Sequence, residues 1–222
     1  MIARTRLLTK HLLAASILVV ALAGCRSHGD LVVDESVGVT AVRGACPAVG
    51  IPDYTGDVTL FTTAGATDAG SLDVTAAMTN LRSTCNDSVA AKVYSASTFD
   101  VLARRTDTRG ARTVQLPYFV TVLRGGTAVI SKRVGTVTLN FADGAERAQA
   151  SAQAGAFIDR AEATLPEDIR RQITRKRRAG DTDAAIDPLT RPEIKAAVAR
   201  ATFEVLIGFQ LDASQLSYNA TR

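Results

Sequence analysis

From Asp57 onward, apolar and polar residues alternate with a period of two over most of the first two thirds of the chain. Val58 and Leu60 fall on one face. Leu72, Val74, Ala76 and Met78 form a longer row that stops at Ser83-Thr84-Cys85-Asn86-Asp87. Val89, Ala91 and Val93 follow, then Phe99, Val101 and Ala103, up to a turn over Asp107–Gly110. Val114, Leu116, Tyr118, Val120 and Val122 alternate cleanly, and Gly125-Gly126 supplies the positive φ that tight hairpins need. Val134–Phe141 reads as another strand, closed by Asp143-Gly144. Upstream, Val37, Val39 and Ala41 predict a short first strand, and 44–56 a loop rich in Gly and Pro. Pro117 inside a strand predicts an edge position or a bulge.

After Gly144 the pattern changes. Residues 146–165 are Ala-rich with scattered charges, and Phe157, Ala161 and Leu165 fall at four-residue steps, which predicts a helix. Pro166-Glu167-Asp168 opens a second helix, with Ile169 and Ile173 as its stripe. Thr190-Arg-Pro-Glu193 matches a capping box ahead of Ile194, Val198 and Ala201. Phe203, Val205, Ile207, Phe209 and Leu211 alternate, while Val205 also continues the helical face of Ile194, Val198 and Ala201; a helix to about Thr202 and then a C-terminal strand returning to the sheet is the favoured reading of the two. Together these predict an α+β fold: an antiparallel β-sandwich-like sheet, two or three helices, and a possible C-terminal strand.

The first residues decide where such a domain works. Arg4, Arg6 and Lys10 precede an apolar run, Leu12–Ala23, too short to be a comfortable permanent span. Leu22-Ala23-Gly24-Cys25 at its end resembles the lipobox of bacterial lipoproteins. The resemblance implies a signal peptide over 1–24, cleavage before Cys25, and acylation of that cysteine. It leaves 25–36 as lipidated N-terminus and tether. Residues 37–222 are then one α+β domain: sheet-rich over 37–143, helix-rich over 145–202, with the strand at 203–211. Arg26 follows the cysteine where inner-membrane lipoproteins tend to carry Asp, so the expected place is the periplasmic face of the outer membrane. Acyl chains supply the membrane contact.

Cleavage also corrects the charge. Of 26 Lys+Arg, three lie in 1–24 with no acid, leaving 23 against 22 Asp+Glu, a net charge of +1. A near-neutral domain gives no argument for a nucleic-acid partner. With Cys25 lipidated outside the cytoplasm, Cys46 and Cys85 remain as one expected disulfide.

The candidate chemistry is sparse. The histidines are His11 and His28, both ahead of the folded part, which removes His-based catalysis and His-ligated zinc from the domain. No Walker loop, Gly-x-Ser-x-Gly elbow or dinucleotide fingerprint occurs. No cofactor or metal is implied. Asp181, Asp183 and Asp187 lack the EF-hand pattern and are read as an acidic loop beside arginines. Residues 165–178 carry a local +4 from Arg170, Arg171, Arg175, Lys176, Arg177 and Arg178. Helical spacing would put Arg171, Arg175 and Arg178 on one side, as a candidate contact for an anionic glycan or lipid. The favoured expectation is a non-catalytic structural or assembly component of a cell-envelope complex, with a protein partner. A binding module acting through 170–178 is the alternative, and a carboxylate-based enzyme comes third.

Overall fold

A computed structural model describes residues 44–87, 91–176, 180–183 and 186–221. Residues 38–176 with 185–222 form one compact unit; of the other unit, 180–183 are described, and they hold a turn. The expected strand at Val37, Val39 and Ala41 lies outside the described residues, as does Cys25.

Among the described residues, eight strands run in the order β1 Ala48–Gly50, β2 Asp57–Phe61, β3 Leu72–Asn86, β4 Lys92–Arg105, β5 Arg112–Arg124, β6 Ala128–Phe141, β7 Arg147–Asp159 and β8 Phe203–Phe209. They form two four-stranded sheets, ordered β1-β8-β5-β6 and β2-β3-β4-β7. Four short helices follow β7 or β8: α1 Arg160–Ala163, α2 Glu167–Thr174, α3 Pro192–Ala201 and α4 Ala213–Thr221. The class is mixed α+β, dominated by strand. Ladders are antiparallel except that β1 pairs with β8 in parallel.

Both sheets contribute to one buried cluster. Val74, Phe99, Val101 and Ile158 come from one sheet, and Leu139, Phe141, Val205 and Ile207 from the other. Tyr118 of β5 meets Phe99 edge-to-face at 5.1 Å, and its hydroxyl donates to the Gln153 carbonyl on β7 at 3.0 Å. Arg112 of β5 holds Asp73 of β3 through two hydrogen bonds. Arg105, 1% exposed, closes the same end. Its guanidinium donates to the carbonyls of Ala145, Gly110, Thr108 and Ala142 at 2.7–2.8 Å and lies 5.2 Å over Phe141. Burying a guanidinium is tolerated when carbonyl dipoles replace its hydration shell, and here they do.

Three expectations need correction. Residues 147–159 are a strand, not a helix; only Arg160–Ala163 is helical. Its inward face is Ala148, Ala150, Ala152, Ala154, Ala156 and Ile158, a period-two row made of alanine, and thirteen residues pair in register with β4. Ladder and burial override the high helix propensity of Ala, Gln and Arg. Thr190 does not cap α3: the N-cap is Arg191, with no side-chain bond, and the Thr190 hydroxyl donates to the Asp187 carbonyl. The reading of 44–56 as loop misses β1.

Pro117 sits in β5, an inner strand, yet pairing with β8 begins only at Tyr118↔Phe209. The Pro117 carbonyl accepts from Gln210 N–H just past the end of β8. Its missing donor therefore interrupts no ladder bond on that side, and the position is edge-like locally. Gly125 and Gly126 do take positive φ, 63° and 78°, at the β5–β6 turn.

Candidate functional site

Among the described strands β6 is the last of its sheet, so alternate N–H and C=O groups along it point away from β5 with no described strand to receive them. Its second half, from Val137, is anchored by Val137, Leu139 and Phe141 in the core. Its first half is different: every residue from Ala128 to Val134 is exposed. Val129 is 63% exposed, Ile130 51% and Val134 59%. Apolar side chains on an unpaired edge are what soluble proteins ordinarily avoid.

The electrostatics of this edge have one sign. From Arg109 to Ala142 there is no acidic residue. Arg112 and Arg124 are committed inside the fold, the first to Asp73, the second to the Arg200 carbonyl at 2.6 Å and Glu162 at 3.5 Å. Lys132 and Arg133 have no carboxylate partner among the described residues; Lys132 lies 5.4 Å over the Phe119 ring. The edge thus presents backbone hydrogen-bonding groups, three aliphatic side chains and two cations. Sequence reasoning began this strand at Val134 and missed the exposed half. The signal was Ala128-Val129-Ile130, a β-prone run directly after the Gly-Gly turn.

Cys46 and Cys85 form a disulfide, joining the segment just before β1 to the end of β3. Cys25 and Arg178 lie outside the described residues. Arg171 is on α2, but α2 ends at Thr174, and Arg175 is its C-cap with extended backbone. The helical stripe expected for Arg171, Arg175 and Arg178 therefore does not reach Arg175. Arg170 pairs with Glu167, and Arg171 lies 4.0 Å from the same carboxylate, so the acids of the first turn offset these cations.

Asp187 accepts from Leu189 N–H and caps a 3-10 turn. No group of three metal-ligating side chains converges among the described residues. Asn219, in a glycosylation-like triplet, is 6% exposed and donates to the carbonyls of Tyr54 and Asp57, which pins α4 to β2. A groove of about 380 Å³ between β2 and α4 contains Asp73 and Asp212. Both acids are committed, Asp73 to Arg112 and Asp212 to Ser214 and Gln215. The Ser214 hydroxyl and the Gln215 N–H hold the Asp212 carboxyl below its ordinary range, which suits an ion rather than a proton donor.

No protein-family model matches this chain, and no curated protein and no solved structure matches it either.

Proposed function

We propose that the protein is a bacterial lipoprotein, acylated at Cys25 and held on the periplasmic face of the outer membrane. It serves there as a non-catalytic assembly component of a cell-envelope complex. The observation that carries the assembly role is the bare edge of β6 from Ala128 to Val134. A partner would add an extended segment to this edge, satisfying the free backbone groups and covering Val129, Ile130 and Val134. Lys132 and Arg133 specify a segment with acidic residues.

The address rests on the basic start, the apolar run and Leu22-Ala23-Gly24-Cys25. The Cys46–Cys85 disulfide fits an oxidising compartment. No helix among the described residues is long and apolar enough to cross a membrane. In this reading the two sheets pack as a sandwich, supported by the single buried cluster drawn from both.

The test is a photo-crosslinking residue at position 130 or 134 in living cells, with position 102 on the other sheet as control. One defined adduct from 130 and 134, absent from 102 and lost with Cys25→Ala, is the expected result. A fully acylated protein that gives no adduct from either position would end the assembly reading.

A further inference from the structure

The β2-β3-β4-β7 sheet carries, on its outer face, a groove of about 570 Å³, within the range of small-molecule sites. Strand register determines what crosses it. One row runs Thr59, Thr75, Arg104, Arg147; the next runs Asp57, Ala77, Leu102, Gln149. These residues alternate with Val58, Val74, Ala76, Val101 and Ala103, which face the core, so they stand on the opposite side. Thr75 and Ala77 are short and half-buried, and the groove lies over them. Leu102, 46% exposed, gives it an apolar surface at β4.

The two arginines are the anomaly. Arg104 and Arg147 are direct partners on adjacent antiparallel strands. Like charges placed directly opposite destabilise a ladder. Glu146 compensates Arg104, at 2.6 Å. Arg147 is exposed and has no ion-pair partner among the described residues. The fold therefore keeps two guanidinium groups against a single carboxylate at one end of this groove. An anion seated between them would relieve the repulsion and accept from two planar forks. The groove is cationic at β7 and apolar over Leu102 and Ala77.

We propose that this groove binds a single-chain carboxylate amphiphile, its head between Arg104 and Arg147 and its chain over Leu102 and Ala77. The site is separate from the β6 edge, which belongs to the other sheet, so each proposal stands or falls alone.

Titration of the full chain with dodecanoate below its micelle concentration, followed by the methyl resonances of Ala77 and Leu102, tests this. Dodecanol supplies the chain without the charge, and acetate the charge without the chain. The expected result is saturable binding of dodecanoate, binding of dodecanol weaker by about tenfold, and no binding of acetate. Arg147→Gln should weaken dodecanoate by about tenfold without lowering Tm, because the side chain is exposed, has no ion-pair partner to orphan and loses its like-charged cross-strand neighbour. Ala77→Leu should fill the groove and abolish binding. Equal affinity for dodecanoate and dodecanol, binding of acetate alone, or an Arg147→Gln protein with undiminished affinity would each overturn the proposal.

Discussion

Asp73 on β3 and Arg112 on β5 face each other through two parallel hydrogen bonds of 2.6 and 2.7 Å, and so tie one sheet to the other. The Asp73 carboxylate raises the pKa of the Arg112 guanidinium. The Asp73 side chain is only 14% exposed, so this pair is less screened than an ordinary surface bridge. Asp73→Asn should keep the fold and lose about 1–2 kcal/mol, read as a lower midpoint in urea with unchanged slope. A change in slope would show instead that the sheets loosen as a unit.

Arg105 makes a sharper case, since four carbonyls depend on it. Arg105→Met keeps much of the volume but leaves buried acceptors unpaired. The expected loss is about 3 kcal/mol or more. Arg105→Lys should recover little of it, because an ammonium cannot reach divergent carbonyls as a planar fork does. Thermal melts of the two variants decide the point.

Acid sensitivity should have a local source. The Ser151 hydroxyl and the Asn80 amide donate to the Asp100 carboxylate at 2.7 and 2.8 Å, with Arg82 nearby, and hold its pKa below the ordinary value. Asp68, Asp107 and Asp212 are shifted the same way, chiefly by Ser71, Arg109 and Ser214. A carboxyl with a lowered folded pKa contributes stability above its unfolded pKa and loses it as pH falls through the folded one. Stability should therefore hold near neutrality and decline below about pH 4. Asp100→Asn should flatten part of that decline; urea melts taken stepwise down in pH would reveal an undiminished slope if Asp100 had no share.

The disulfide closes a separation of 39 residues. In the chain-entropy account such a loop is worth roughly 4 kcal/mol. The Cys46→Ala, Cys85→Ala double variant should lose about that much, measured against the oxidised protein in denaturant.

At the β6 edge the expectation is opposite in kind. Ile130→Lys and Val134→Lys replace exposed side chains, so stability should move by less than about 0.5 kcal/mol. Partner capture in cells should fall all the same. A loss of capture that merely tracked a loss of folded protein would point to packing instead.

Most strands were legible because valine, leucine and phenylalanine marked alternate positions against polar neighbours. β7 was not, because its inward residues up to Ala156 are alanines. Alanine satisfies a helix pattern as readily as a strand pattern, and only pairing with β4 decides between them. α4 was missed although its cap is written in Asp212-Ala-Ser-Gln215. The Asp212 carboxylate accepts from Gln215 N–H, and the Gln215 side chain accepts from Asp212 N–H. The similar pattern at Thr190–Glu193 was recognised and does not form, since Asp187 draws Thr190 into the preceding turn. The β6 edge and the Arg104–Arg147 pair depend on strand order and register. Neither is written in local pattern, so no reading of the sequence alone could place them.

β1 is three residues long, pairs among the described strands only with β8, and begins two residues after Cys46. Without the disulfide, tension on the preceding chain would reach β1 first, and so short a strand would unzip bond by bond. With it, the load passes through sulfur into the end of β3, a fifteen-residue strand paired with β4 along most of its length, Cys85 included. If the domain is leashed at its N-terminus as proposed, Cys46–Cys85 is the cleat: a sideways tug on the body is borne by the longest strand of the sheet, while β1 stays slack.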